Sequence, residues 1–567
     1  MTLECEQMQI QCRNESGRSR PRRMAGRRAG LWLTAAAVTL LALVMALAQS
    51  ALAQTTAAGQ DPQSGAGQPQ SAQSGAGQPG VGQSAQTPAN KPQAETHITP
   101  EQAKDLFRSV DELIKFASED TGLPIKHEVK RTLTTRAAVE KYLTEKFDED
   151  EDAKRMQRGE IVLKKFGLLD RDFNLKPFML ALLKEQIAGY YDSKTKTIYM
   201  LDWIDADTQK PVLAHELTHA LQDQHTDLEK WNNQSPADPS HNASEDNDHL
   251  AKDELDTART AALEGQAMAV FLDYSLKPSG RSIIKNPELL DQLQDQMQGT
   301  DDSPVLARAP LLLSESLLFP YKDGLSFEQD VWMDKGRQAA FAGVLDRPPA
   351  SSWEVMNPRV YEQGKQSPIL VLPDIHPLLN KLYKPYDIGQ VGQLDLRILA
   401  QIFGGEAAAR ELTPAWDGGI YWAGQKISAK TPAEQASTNS VALLYLSAWK
   451  NQASASSFAR MYADELGRKY SGVKLDAADM PLDDSRGEET IYTTNEGPVV
   501  ITVRGKFVFV SESFDLPTAR KLADLLIDEQ GTGEIRTAGV AVPRTGLSES
   551  WVNFLHSCGM MKAAFLH

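Results

Sequence analysis

Residues His215-Glu216-Leu217-Thr218-His219 constrain this chain more than any other stretch of it. Two histidines four apart on a helix lie on one face, about one turn from each other. At that spacing both imidazoles reach a single tetrahedral zinc ion, and the glutamate between them points toward the coordination position left open. A carboxylate held there takes a proton from water whose pKa zinc lowers to about 7. The neighbours agree with a helix. Val212, Leu213, Leu217, Ala220 and Leu221 form an apolar face, Pro211 stands where a first turn tolerates proline, and Asp207 or Thr208 caps the start. The alternative is a plain amphipathic helix with two surface histidines, which has no need of this spacing.

Zinc needs a third protein ligand. His225 stands ten residues after His215, the spacing of His-Glu-x-x-His-x-x-Gly-x-x-His sites, where the glycine breaks the helix and the last histidine turns back. Here the glycine position holds Gln222, a good helix former. On a continuing helix His225 lies roughly 80° around from His215 and about 9 Å beyond His219, out of reach. Only a helix end near Asp223 revives it. Glu264 is the better candidate. It lies in a helical stretch, Asp253 to Phe271, among Ala261, Ala262, Gly265, Ala267 and Ala269. Small residues let two helices approach closely, as ligands on separate helices require. An alanine-rich helix with one surface glutamate is the plain alternative, and Glu254 and Asp256 are weaker candidates without the small-residue surround.

His215-Glu-Leu-Thr-His-Ala-Leu-Gln-Asp-Gln-His225, followed by Ala262-Leu-Glu-Gly-Gln-Ala267, resembles the gluzincin class of zinc metallopeptidases, and within it a bacterial branch of exported or membrane-associated peptidases. Relatives of that branch carry aspartate where this chain has Gln266. The resemblance implies His215, His219 and Glu264 as zinc ligands and Glu216 as general base. It extends to Gln186–Asp192, Phe319–Gly324 and Pro348–Pro358, the last with Asn357 where histidine is expected. It spans residues 100–470, and only the zinc residues are specific.

Ala188–Asp192 and Lys196–Leu201 read as a hairpin. A strand just before the zinc helix can hold an extended peptide by main-chain pairing, or simply pack under the helix. Tyr190, Tyr191, Tyr321 and His225 are the candidates for stabilising an oxyanion.

Seven arginines between Arg13 and Arg28, the apolar run Leu31 to Ala48 and the small residues of Ala51-Leu-Ala53 read as a signal peptide over residues 1–53, and so as export to the envelope or beyond. An uncleaved anchor is the rival, because the run approaches the length that spans a bilayer. Residues 54–97, rich in Gln, Ser, Gly, Ala and Pro, form a low-complexity linker. The expected fold class is α+β. A mainly helical zincin-like domain with a small sheet covers residues 98–360, a C-terminal α+β region with a mainly antiparallel sheet covers 361–539, and 540–567 is a tail. Helices are expected near 100–118, 136–166, 173–187, 392–411, 454–470 and 516–527. Strands are expected at Ile420–Ile427, Val441–Trp449, Val499–Val503 and Phe507–Ser511, and a polar loop with exposed His241 and His249 at 232–250.

The net charge of −16 becomes −20 without residues 1–53, which carry seven arginines and three glutamates, and argues against nucleic acid as a partner. Cys558 stands alone after the signal, so no internal disulfide forms. The expected function is an exported zinc peptidase acting on a protein or peptide substrate. The alternative from another class is an envelope binding or scaffold protein that keeps zinc for structure. Substrate preference and oligomeric state are not written in the sequence.

Overall fold

The computed structural model of the chain describes residues 97–141, 151–185, 189–232, 240–283, 304–476 and 487–531, with isolated positions between them. The expected signal peptide, the linker up to residue 96, Cys558 and the tail lie outside the described residues. Among the described residues no helix is long and apolar enough to cross a membrane.

The N-terminal part opens with α1 (Pro100–Thr121), whose start is a reciprocal cap between Thr99 and Gln102 with proline at the first position. Gly122 ends it in the left-handed region at φ 75°. Then come β1 (Lys130–Thr134), α2 (Glu151–Phe166), α3 (Leu175–Glu185), β2 (Tyr190–Asp192), β3 (Thr197–Leu201) and α4 (Ala206–Thr226). The expected helix over 136–166 is helical at 136–141 and again in α2, with 142–150 outside the described residues. The expected hairpin is present: β2 runs antiparallel to β3, with Tyr190 opposite Tyr199 and their rings stacked at 4.4 Å. β1, which lacks a clear alternation, joins the other edge of β3 in parallel.

The longer helices that follow in this part, among shorter ones, are α5 (Ala243–Leu250), α6 (Leu255–Leu276) and α7 (Leu311–Lys335). The expected polar loop at 232–250 therefore contains a helix, capped by the Asn242 side chain on the Ser244 amide. His249 is buried there against the Ile388 carbonyl at 3.0 Å, while His241 is exposed. Its neighbours are polar, and only burial against a distant segment distinguishes it.

The C-terminal part is built on a seven-stranded sheet in the order β4-β5-β6-β10-β9-β8-β7, with every neighbouring pair antiparallel. In chain order its elements are β4 (Tyr383–Gln390), α8 (Gln393–Leu412), β5 (Trp416–Lys426), β6 (Val441–Trp449), α9 (Gln452–Asp464), β7 (Lys474–Leu475), β8 (Glu488–Thr494), β9 (Gly497–Arg504), β10 (Phe507–Glu512) and α10 (Leu516–Glu529). The strands read from apolar runs are all here, and the sheet gains β4, β7 and β8, whose polar or proline-containing sequences hide them. Side chains alternate between two cores. Ile420, Trp422, Leu444 and Leu446 face α10, whereas Tyr421 and Tyr445 face α9 and Phe166 of α2. β6 is buried at every position, as its unbroken apolar sequence requires. Helix and sheet are thus mixed along the chain, and α2 carries the N-terminal part onto the sheet, where the buried Lys165 pairs with Glu496 at 2.8 Å.

Candidate metal centre

The strand that precedes α4 places both motif histidines. Gln209 donates to the carbonyls of Leu201 and Ile204 at 2.9 and 2.8 Å and accepts from the Leu201 amide at 3.0 Å, clamping the end of β3 to the first turn of α4. The cap is Asp205, whose carboxylate accepts the amides of Asp207 and Thr208. The helix therefore starts earlier than Asp207 or Thr208 would allow, and Pro211 lies inside it. Near the C-terminal end, Asp223 accepts the Tyr191 hydroxyl at 2.6 Å and Lys196 Nζ at 2.7 Å, tying α4 to the β2–β3 hairpin.

The helix continues to Thr226, as a glutamine at position 222 predicts. His225 consequently points away from the motif and lies 2.9 Å from Asp346. Glu264, brought by α6, joins the two motif histidines instead. His215 Nε2 and His219 Nε2 are 3.1 Å apart, and Glu264 Oε2 lies 3.2 Å from the first and 3.4 Å from the second. A zinc ion bound at about 2.0–2.1 Å in tetrahedral geometry separates its ligand atoms by about 3.3 Å. The three donors form a triangle of that edge. Among the described residues this is the one group of three or more such side chains close enough to share an ion.

The state of these side chains also fits a metal. All three have no solvent exposure, and neither Glu264 oxygen accepts a hydrogen bond. Burying a carboxylate so is costly unless a positive charge is beside it. Burial by itself raises the Glu264 carboxyl, but the imidazoles of His219 and His215 outweigh it and hold the group well below the usual carboxylate range. Burial pushes the His215 imidazole below its ordinary value, toward the neutral form. Carboxylate and neutral imidazole are the forms that ligate metals.

Glu216 follows His215 and is equally buried. Its Oε2 accepts the backbone amide of Tyr191 at 3.0 Å, so the edge strand β2 orients the carboxylate. Of the four oxyanion candidates, three are engaged elsewhere: Tyr190 on Tyr199, Tyr191 on Asp223, and His225 on Asp346. Tyr321 remains. Its ring stacks against His215 with centroids 6.5 Å apart, and burial, then Glu264 and Glu216, push its phenol pKa well up.

Tyr321 is brought in by the close approach of α7 to α6. An added Cβ on Gly265 would lie 2.2 Å from the Gly324 carbonyl oxygen, and one on Gly324 would lie 2.1 Å from the Ala261 carbonyl oxygen. Of the small residues around Glu264, Gly265 and Ala261 thus meet the tyrosine helix, whereas the sequence expectation assigned all of them to the contact with the helix of His215 and His219. Spacing alone does not say which neighbour a small face meets.

No family model, curated protein or solved structure matches this chain. Its chemistry rests on the geometry of these side chains.

Two residues near His219 carry more than sequence disclosed. Gln222, read only as a helix former, accepts from His219 Nδ1 at 2.6 Å, and Gln266 contacts Gln222 at 2.9 Å. The position of Gln222, three residues after His219 and so on its face, was the available signal.

Glu254 and Asp256, the weaker ligand candidates, stand outside the group of three. Glu254 is buried where the two parts of the chain meet, with Ser352 Oγ donating to it at 2.5 Å and its carboxyl packed on the Cα of Gly392. Burial raises its pKa from 4.5 to about 7. A carboxyl raised on folding binds more protons in the native state, so stability falls as pH rises from about 4.5 to about 7 and is then level. The expected loss is roughly 3 kcal/mol. Denaturant unfolding at pH 5 and pH 8 checks it: Glu254→Gln should shrink the difference by about 2.5 kcal/mol, the part of the loss that falls between those two pH values. An unchanged difference would rule this origin out.

Proposed function

We propose that this chain is an exported, zinc-dependent peptidase of gluzincin type, with His215, His219 and Glu264 as ligands and Glu216 as general base. The observation that carries the proposal is the triangle of three buried donors at tetrahedral edge lengths, with an oriented glutamate adjacent to the first of them. The order of hairpin, motif helix and glutamate helix supports a zincin-like fold for the N-terminal part. Export rests on the sequence of residues 1–53.

A zinc ion at this centre supplies Lewis acidity, polarising a carbonyl and making water nucleophilic near neutral pH. The chain's own residues supply the rest. With Glu216 Oε2 held by the Tyr191 amide, Oε1 takes the proton of the attacking water and passes it to the departing amine. Tyr321, kept as a phenol by its burial and its acidic neighbours, donates to the carbonyl oxygen as charge develops there. The short edge strand beside Glu216 suits an extended peptide, which pairs through its main chain with little demand on sequence.

Complete burial of His215, Glu216, His219 and Glu264 favours a second reading, a structural zinc site in an envelope binding or scaffold protein. Structural zinc is usually closed by four protein ligands, and the group here has three among the described residues. The catalytic reading is therefore preferred, and under it the walls of the centre part to admit substrate.

Zinc content of the purified full chain tests the centre. One zinc per chain is expected, lost in His219→Ala and in Glu264→Ala, with cleavage of a peptide library that stops on chelation and returns with zinc. Loss in His219→Ala alone would reject Glu264. Bound zinc with no cleavage would favour the structural reading, and no zinc after reconstitution would end both.

A further inference from the structure

We propose that two buried glutamines, Gln222 and Gln266, form a relay that fixes His219 in the tautomer presenting Nε2 to the metal, anchored on the π-helical turn Ala339–Gly343. The inference rests on the metal-centre reading and adds positioning residues that act through His219, not on the metal or substrate.

The directions of the hydrogen bonds follow from the ends of the relay, which are backbone carbonyls and can only accept. Gln266 Nε2 donates to the Ala340 and Phe341 carbonyls at 2.9 and 3.1 Å. Its amide nitrogen also faces the buried Glu328 carboxyl, so its Oε1 is turned the other way, toward Gln222. Gln222 Nε2 donates to that oxygen at 2.9 Å and to the Leu263 carbonyl at 3.0 Å. Its hydrogens are committed, which turns Oε1 toward His219 Nδ1 at 2.6 Å. An amide oxygen cannot donate. Nδ1 therefore carries the proton, and Nε2 keeps its lone pair for the centre. Rotating either amide by half a turn would set oxygen against oxygen in a space closed to water, since both glutamines have no exposure.

The relay spans three separate segments: α4 holds Gln222, α6 holds Gln266 beside the ligand Glu264, and the π turn lies beyond α7. Turns of that kind are rare and recur at functional sites. A ligand's tautomer thus depends on the docking of a segment more than a hundred residues away. Partners of this type commonly matter to metal affinity by 10- to 100-fold.

The test uses the full chain and two readouts. In metal-free protein with nitrogen-15-labelled histidine, the His219 signal, assigned by its absence in His219→Ala, should be that of the Nδ1–H tautomer. An Nε2–H signal would overturn the relay, whatever the metal data say. In chelator competition, Gln222→Leu should bind zinc about 10- to 100-fold more weakly. Gln266→Leu should also bind more weakly, though less so, because the Leu263 carbonyl still holds Gln222. Gln222→Glu, which retains an acceptor for Nδ1–H but sets an oxygen toward the Leu263 carbonyl and Gln266 Oε1, should recover part of the affinity that Gln222→Leu loses. Unchanged affinity in Gln222→Leu, or Gln222→Glu as weak as Gln222→Leu, would reduce the contact to packing and overturn the proposal. If the parent chain takes up no zinc, the metal reading fails, and the tautomer measurement still decides the relay.

Discussion

Glu216→Gln is expected to lower peptide hydrolysis by roughly 10²- to 10⁴-fold, the usual worth of a general base, while zinc stays bound at the level of the parent. The substitution is nearly isosteric, and the side-chain oxygen of glutamine can still accept the Tyr191 amide that Glu216 Oε2 accepts at 3.0 Å. Orientation and packing are thereby kept, and only the ability to take a proton is lost. The ligand triangle does not include Glu216, so metal content is the internal control. Tyr321→Phe in the same assay should cost about 10²- to 10³-fold, the range for one lost oxyanion donor. Undiminished cleavage by a homogeneous Glu216→Gln preparation, measured with zinc loaded, would show that another group is the base.

The second large effect is expected at a glycine. In an exposed helix, Gly→Ala gains about 1 kcal/mol because alanine loses less chain entropy. Gly265→Ala should do the reverse. Its new Cβ would stand 2.2 Å from the Gly324 carbonyl oxygen, 2.3 Å from the carbonyl carbon and 2.9 Å from the Leu325 amide nitrogen. All three are backbone atoms of α7, and no side chain can rotate to make room. The helices must separate instead. Overpacking of that kind costs about 1–3 kcal/mol and more when backbone has to move, which exceeds the propensity gain. Because Glu264 is the adjacent residue and Tyr321 lies one turn before Gly324, the same displacement pulls both from the centre. A lower melting temperature together with weakened zinc binding is the expected result. A melting temperature equal to or above that of the parent would mean that the two helices are not held at this distance in solution.

Much of the centre was legible because helical periodicity is local. His215, Glu216 and His219 share a face by spacing alone, and Gln222 correctly forecast that the helix would carry His225 past reach. Glu264 was legible through the small residues around it, although two of these serve a different helix. Ala261 and Gly265 meet α7, and sequence carries no label for which helix a small face will touch. In the C-terminal part, apolar runs disclosed the central strands β5, β6, β9 and β10, since burial on both faces leaves no alternative composition. The edge and near-edge strands β4, β7 and β8 stayed hidden because a strand exposed on one side tolerates polar residues and proline.

By itself, then, the sequence determined the helix, the face it presents and the chemical character of the candidate ligands on it, all consequences of contacts within one turn or two. The tertiary structure decided everything that depends on separate segments meeting. It brought Glu264 within 3.2 Å of His215, turned the Tyr191 amide onto Glu216, set the Tyr321 ring beside His215 and ran the hydrogen bonds of Gln222 and Gln266 back to residues 340 and 341. These are pairings between positions 25 to 106 residues apart, and one chain's sequence holds no signal of which distant carbonyl or helix will be the partner until packing selects it.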